Sequence, residues 1–185
     1  ERIYLEALKN HTVGVYFSPI EHSLFKEITG NPIVYWLSDN FKKIFNNLKL
    51  REMVSPKQGT STGNNDLFLR LWHEVSFSSI SLNQQPTMPF IKKWYPATKG
   101  GAFRKWYGNN DYVVDWQFDG QAIKNCSGSA IRNKDANFKE ALTWTGIGSQ
   151  LGMRYCPGGY VFLISGKGIV GDASKLKYVL GCCCS

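Results

Sequence analysis

The chain of 185 residues contains no run approaching the ~20 apolar residues that a membrane helix requires, and its start lacks the charged, apolar and small-residue regions of a secretory signal. These absences predict a cytoplasmic protein with no membrane partner. Cysteine is sparse and poorly spaced: Cys126 and Cys156 stand alone, and Cys182, Cys183 and Cys184 are adjacent near the end. An odd total without regular spacing is no disulfide framework, and with no Cys-x-x-Cys or His-x-x-x-His pair a structural zinc site is not expected. The three histidines, His11, His22 and His73, are scattered and read as structural residues. No Ser-His-Asp, Cys-His or paired-carboxylate spacing is present, and Asp115, Asp119 and Glu140 are isolated acids. Acids are also the minority charge. Against 22 Lys and Arg there are 14 Asp and Glu, a formal net charge of +8, which favours a polyanionic partner.

What is abundant is aromatic and basic. Residues 92–110 place Lys92, Lys93, Lys99, Arg104 and Lys105 around Trp94, Tyr95, Phe103, Trp106 and Tyr107 without one carboxylate. Cations lower the free energy near phosphates, and ring faces stack on bases or sugars. A second reading of the same residues is two amphipathic strands about the Gly100-Gly101 turn, with rings on a core face and lysines in water. Six tryptophans and nine tyrosines exceed what a core of this size requires, which places some rings on a working surface.

Along the chain, residues 1–30 read as an arm or linker: a short helical start, a β-rich patch at Val13 to Phe17, and a helix from Glu21 to Ile28 closed by Gly30. Asn31-Pro32 breaks it. Ser38 is an N-cap for a helix over Asp39 to Asn46, and Leu48 to Val54 forms a second helical turn. Residues 55–66 carry no large apolar side chain and predict an exposed loop. Strands are expected at Leu67 to Trp72, Phe90 to Tyr95, Tyr112 to Phe118, Ala141 to Thr145, Met153 to Cys156 and Tyr160 to Ser165. A surface excursion covers 76–89, one or two helical turns follow at Asp119 to Lys124, and a terminal helix runs from Ala173 to Cys184 with Leu176, Val179, Leu180 and Cys183 on its apolar face. The sum is an α+β fold with a mixed, largely antiparallel twisted sheet and flanking helices. The absence of an initiating Met and the chain's stop inside the last helix predict a fragment, with the main domain spanning 31–185.

Three short patterns bear on chemistry. Gly59 to Asn65, with Thr60, Thr62, Gly63 and Asn64 between them, brings glycines and short donors between a helix and a strand, suited to close backbone approach to phosphate. It lacks the Gly-Lys-Ser/Thr ending of a nucleotide-binding P-loop, and an ordinary Gly/Asn turn fits it equally. Asn31-Pro32-Ile33-Val34-Tyr35-Trp36 departs from the Asn-Pro-Pro-Tyr motif of amino methyltransferases at its second proline and ring position, and reads as a structural junction with Tyr35 and Trp36 in the core. Gly146-Ile147-Gly148 is too short to be a dinucleotide fingerprint.

Taken together and in order, Gly30 to Ser38, Lys57 to Val75, Lys93 to Pro96, Lys99 to Asn109 and Phe138 to Trp144 resemble the large adenine-specific DNA methyltransferases of bacterial phage-exclusion (BREX, PglX-like) systems, relatives of the single-chain type II restriction-modification methylases. The resemblance runs from about Gly30 to the end. It implies the target-recognition region that follows the catalytic domain; the S-adenosylmethionine-binding strand-loop and Asn-Pro-Pro-Tyr motif of that family lie upstream of it. The cofactor of the full enzyme is thus S-adenosylmethionine, with none held by this chain, which is expected to be inactive alone. The implied partners are double-stranded DNA, the upstream methyltransferase domain and other defence-system subunits. Lys57, Gln58, Gly59, Thr60, Thr62, Gly63, Asn64 and Asn65 would fix register on the duplex. Lys92, Lys93, Lys99, Arg104 and Lys105, with Trp106 and Tyr107, would grip it. The alternatives are a small nuclease or nucleotide-processing enzyme whose acids converge in space, and a protein-interaction module with an aromatic surface.

Overall fold

The computed structural model describes residues 2–10, 26, 28, 30, 38–47 and 49–185, and contacts divide the chain into two units, Glu1–Lys49 and Leu50–Ser185. In the first, α1 (Arg2–Lys9) is the helical start read from the sequence, and α2 (Asp39–Ile44) follows Ser38, whose hydroxyl accepts from Phe41 N at 3.3 Å. The Phe41 and Phe45 rings meet edge to face at 5.9 Å, the one-turn spacing of a helix. The β patch at 13–17, the helix expected over 21–28 and the Asn31 to Trp36 junction fall outside the described residues, apart from single positions, as do His11 and His22.

The second unit is built on two four-stranded sheets. In chain order its elements are α3 (Leu50–Met53), β1 (Val54–Lys57), α4 (Asn65–Phe68), β2 (Leu69–Leu71), β3 (Trp94–Thr98), β4 (Tyr112–Asp115), α5 (Gln117–Lys124), β5 (Ala141–Thr145), β6 (Arg154–Cys156), β7 (Val161–Phe162), β8 (Gly166–Gly171) and α6 (Ala173–Cys184). The strand orders are β1-β8-β5-β6 and β2-β4-β3-β7. Every pairing is antiparallel except β3 with β7. The α+β class with a mixed, largely antiparallel sheet is therefore what the structure shows.

One face of the first sheet packs on α6. Asp172 caps that helix by accepting from Ser174 N at 2.9 Å, and Leu176, Val179, Leu180 and Cys184 pack on Leu142, Met153 and Ile169. Cys183 lies half-buried beside them, while the Cys184 thiol donates to Met153 O at 3.2 Å; the cysteines are all free. A second core gathers Tyr95, Val114, Trp116, Ile123, Phe138 and Val161 around the other sheet. Phe138 meets the rings of Phe90, Tyr95 and Trp116, so three separate stretches of chain depend on one aromatic.

The chain crosses between the sheets over residues 163–165, and this crossing dictates β8. The sequence Gly-Lys-Gly-Ile-Val-Gly does not read as a strand, yet β8 is central in its sheet. A Cβ at Gly166 would stand 2.6 Å from Thr98 O, and one at Gly168 would stand 3.1 Å from the Phe162 ring. Close approach, not turn formation, requires these glycines.

Several boundaries differ from the sequence expectations, each for a visible reason. Residues 55–66 are not simply an exposed loop: Ser55 to Lys57 belong to β1, and Thr60 and Thr62 are buried. Their backbone is satisfied internally, with Thr60 N donating to Phe162 O at 2.7 Å and Ile164 N to Thr60 O at 2.9 Å, so small polar residues enter the interior without large apolar ones. The strand expected over 67–72 begins only at Leu69, because Asn64 caps α4 through its side-chain oxygen and Leu67 N at 3.0 Å. The strand placed at 90–95 starts later and runs through Pro96. Trp116 N donates to Lys93 O, and the alternation from that bond turns the missing N–H of Pro96 away from β4, at a point where pairing with β7 has not begun. β4 stops at Asp115 instead of 118 because Phe118, Asp119 and Gly120 take φ of 50°, 63° and 72°. No hairpin forms about Gly100-Gly101: β3 ends at Thr98, its partner starts at Tyr112, and 99–111 is an irregular connection.

The Asp119 turn is held by two cations. Its Oδ2 accepts from Lys124 at 2.9 Å and also from Lys134. Desolvation would raise the Asp119 pKa, but the bonds and charges of Lys134 and Lys124 outweigh it and hold the carboxyl below its usual value. A folded value below the unfolded one means stability that is present above about pH 4 and lost as pH falls through the folded value. Asp119→Asn should lower Tm at neutral pH, with the gap to the parent closing in acid; a gap independent of pH would refute the linkage. Gly59, whose Cβ would sit 2.4 Å from Phe162 O, gives a second check. Gly59→Ala should lower Tm by roughly 5–10 °C, measured by thermal denaturation, since overpacking against backbone costs about 1–3 kcal/mol.

Candidate nucleic-acid interface

The loop from Gly59 to Asn65 leaves β1, passes beside residues 163–165 and ends by capping α4. Within it the Thr62 hydroxyl donates to Asn65 Oδ1 at 2.7 Å, Ser61 exchanges backbone bonds with Ala130 at 2.9 Å, and Gln58 O accepts from Asn133 Nδ2 at 3.0 Å. The first bond braces the loop from within, and the other two tie it and its approach to residues 130–133. Thr60 Oγ1 is buried without a partner, and Lys57 lies half-buried in β1 opposite Gly168.

Against this loop stands Lys99, at the end of β3. Thr60, Thr62, Gly63, Asn65, Lys99 and Ser165 line a cleft of about 300 Å³, and Asn65, Lys99, Arg70, Glu74 and Tyr112 line an adjoining one of about 360 Å³. The Lys99 ammonium lies 4.3 Å from the centre of the Tyr112 ring, a cation–π contact that holds the charge over the cleft. Two segments nominated separately from the sequence thus meet at one place: a donor-rich loop and a cation.

The remaining nominated cations do not join them. Lys92 donates to Ile80 O at 2.9 Å; Lys93 lies 3.9 Å from Asp115 and 5.3 Å from the Trp94 ring. A strand rising ~3.3 Å per residue puts Lys93 and Lys99 roughly 20 Å apart, at opposite ends of β3. Lys105 donates to Cys184 O at 2.8 Å, so its charge satisfies the C-terminal end of α6. Arg104 folds over Gly108, and Trp106 and Tyr107 are 52% and 58% exposed on a connection tied down by Trp106 N to Met153 O and by Tyr155 N to Trp106 O. Of the rings in the segment, Trp94 and Tyr95 are core and Phe103, Trp106 and Tyr107 are surface. Each of the two readings of the composition therefore describes part of it.

The sequence did not single out Arg154. On β6 it is 2% exposed, donates to Gly152 O at 3.2 Å and leaves Nε without a partner. Burial, and then the neighbouring Arg104 guanidinium, depress its pKa. The acids singled out from the sequence do not converge, although Asp66 and Glu74 line one cleft together. Asp115 faces Lys93, Asp119 faces Lys124 and Lys134, and Glu140 bonds Tyr155, whose pKa burial and that carboxylate raise. Among the described residues no group of three His, Cys, Asp or Glu side chains is arranged to hold a metal, and no helix is long and apolar enough to cross a membrane.

Comparison with known proteins bears on the same segments. The chain is 36% identical over 193 aligned positions to the adenine-specific methyltransferase PglX of Lacticaseibacillus casei (strain Zhang), an alignment that takes in 98% of this chain and 16% of that protein. It is 34% identical over 162 positions to the adenine-specific methyltransferase BrxX of Escherichia coli O9:H4 (strain HS), covering 85% of this chain and 13% of the relative. The chain is a PglX-like sequence. No protein-family model matches it. The resemblance read from the Gly30 to Ser38, Lys57 to Val75 and Lys99 to Asn109 segments is borne out, and the chain spans about one-sixth of PglX and less of BrxX.

The geometry separates the sterically required Gly63 of the loop from Gly128, which stands in open space. Gly63 has φ +75°, and a Cβ there would stand 2.8 Å from Ser129 N, whereas Gly128 has φ +78° in open space. Asparagine tolerates the left-handed region, so Gly128→Asn should leave Tm nearly unchanged, while Gly63→Asn should lower it by several degrees through the clash. Equal shifts in thermal denaturation would show that φ alone decides both sites.

Proposed function

We propose that this chain is the DNA target-recognition region of an adenine-N6-specific DNA methyltransferase of a BREX-type phage-defence system. The observation that carries the proposal is the meeting of the Gly59 to Asn65 loop with Lys99 in one cleft, on a chain of net charge +8. The Thr60 and Ser61 amides are used within the fold, so the remaining amides and short side chains of the loop hold a phosphate, Lys99 supplies charge, and Tyr112 and Arg70 extend the surface along the adjoining cleft. Phosphate contacts of this kind set register; base edges are read by side chains carried on neighbouring loops. The recognition region takes in residues 31–185 and the preceding arm leads from the catalytic domain, which with other defence-system subunits makes up the protein partners. The kinship with PglX and BrxX supports this reading.

Methyl transfer is not assigned to the chain. S-adenosylmethionine sites of the nucleotide-binding α/β kind use a Gly-rich turn between a parallel strand and a helix. Here the Gly59 to Asn65 loop leaves β1, which pairs antiparallel with β8, and the parallel pairing of β3 with β7 carries no such turn. The described residues do not fit that cofactor, and no step is derived through it.

Electrophoretic mobility or anisotropy measurements with duplex DNA test the proposal. Raising salt from about 50 to 200 mM should weaken binding roughly tenfold for two phosphate contacts, and Lys99→Glu should weaken it on all duplexes alike, with Tm retained. Lys99→Glu with undiminished affinity and salt slope removes the cleft from the interface. Asp115, Asp119 and Glu140 are occupied in separate contacts and no three described His, Cys, Asp or Glu side chains are grouped to hold a metal, which disfavours the nuclease alternative; metal-dependent cleavage by the chain would reinstate it.

A further inference from the structure

A buried guanidinium with no carboxylate is an unusual expense for a fold, since an unpaired charge loses its hydration without compensation. Arg154 is in that position. It lines a separate cleft of about 160 Å³, together with Gly101, Phe103, Thr145, Gly148 and Ser149, and no acid lines it. That volume exceeds the ~30 Å³ share of one water several-fold, enough for a polyatomic anion. The walls come from two loops. The first is 101–104, braced by Asn109 Nδ2 donating to Ala102 O at 2.8 Å and by Thr145 Oγ1 donating to Gly101 O at 3.0 Å. The second is 146–152, whose Gly152 lies so close to Arg104 that an added Cβ would meet the Arg104 carbonyl at 2.7 Å.

Among the described residues no carboxylate lines this site. The neighbouring Cys156 thiol, which burial pushes up to about 12, stays uncharged at neutral pH. Glu140 is turned to Tyr155. The second cation, Arg104, adds charge of the same sign. The Arg154 guanidinium, with its unused Nε donor, lines the cleft beside Thr145, Ser149 and Gln150 without a carboxylate, and Arg104 adds positive potential from outside the lining. Arginine forks match phosphate oxygens, and burial strengthens the pairing once the anion arrives. Residues 147–150 line this cleft, and Gly148 lets an anion approach without Cβ obstruction.

We infer that Arg154, with residues 147–150 and under the added positive potential of Arg104, forms a second phosphate-binding site, distinct from the Lys99 cleft, whose ligand is a phosphate group. In the reading of the chain as a DNA-recognition region that phosphate is a backbone phosphodiester of the duplex, and to that extent the inference rests on the proposed function; the phosphate chemistry itself does not.

The test uses the whole chain labelled with 15N, following arginine Nε resonances during titration with inorganic phosphate at constant ionic strength. The expected result is a saturable shift of the Arg154 Nε signal, identified by its loss in Arg154→Met. A methionine of similar volume removes a buried unpaired charge, so that variant should keep or raise Tm while losing the phosphate response. Duplex DNA then separates the sources. A roughly tenfold loss of duplex affinity in Arg154→Met, with the salt slope falling by about one, supports a backbone phosphate. Unchanged duplex affinity with phosphate binding lost supports a phosphate carried by a small molecule. A parent chain that binds phosphate at Arg154 but no duplex DNA would sink the proposed function and leave this site standing. If inorganic phosphate leaves the Arg154 signal unmoved in the parent chain, the inference is overturned, and that measurement needs no variant to fold.

Discussion

The structure hangs on a tight passage of backbone. Residues 161–166 leave one sheet and enter the other between the Gly59 to Ser61 segment and the end of β3, bonded to both: Thr60 N to Phe162 O at 2.7 Å, Leu163 N to Thr98 O at 3.2 Å, Ile164 N to Thr60 O at 2.9 Å. Asn137 adds a further bond, its side-chain oxygen accepting from Phe162 N at 3.0 Å. Backbones approach this closely only where no Cβ intervenes, which is why Gly59 and Gly166 stand where they do, while Gly168 makes room for the Phe162 ring. The donor-rich loop, the cation at the end of β3 and the 163–165 connection are brought together by this crossing, so the Lys99 cleft is a consequence of how two sheets are joined.

Electrostatics divides the basic residues by what each already satisfies. Lys92 and Lys105 donate to backbone carbonyls, Lys93 faces Asp115, and Lys124 and Lys134 share Asp119. Such cations contribute to the long-range field of a positively charged protein, but a contact made within the fold must be replaced before the group can grip a phosphate. Lys99, held over a ring, and Arg154, held beneath two loops, keep donor capacity. The +8 of the composition is therefore a poor guide to where an anion binds, and the unspent donors are a better one.

The helical parts and several strands were legible in the sequence because their information is local. Ser38 and Asp172 cap helices through their own neighbours, the spacing of Leu176, Val179 and Leu180 marks a face, and Ala141 to Thr145 is strand by residue type. β8 was not, because its glycines serve partners far along the chain. The alternation of Tyr112 to Phe118 misled for a related reason: Val113 and Val114 are both buried in a strand covered on both faces, and three consecutive left-handed residues then turn the chain away.

By itself the sequence determined the α+β class, the PglX-like kinship and the two segments that supply the candidate surface, since composition, capping and ordered local motifs need no knowledge of distant contacts. Tertiary structure alone decided which cations share a cleft, that Thr60 and Thr62 turn inward, and that Arg154 lies buried without an acid. Those outcomes depend on which backbones pass within about 3 Å of each other, and pairing between residues about 70 to 105 positions apart, as at Thr98 with Gly166 or Thr60 with Ile164, leaves no periodic trace in the chain.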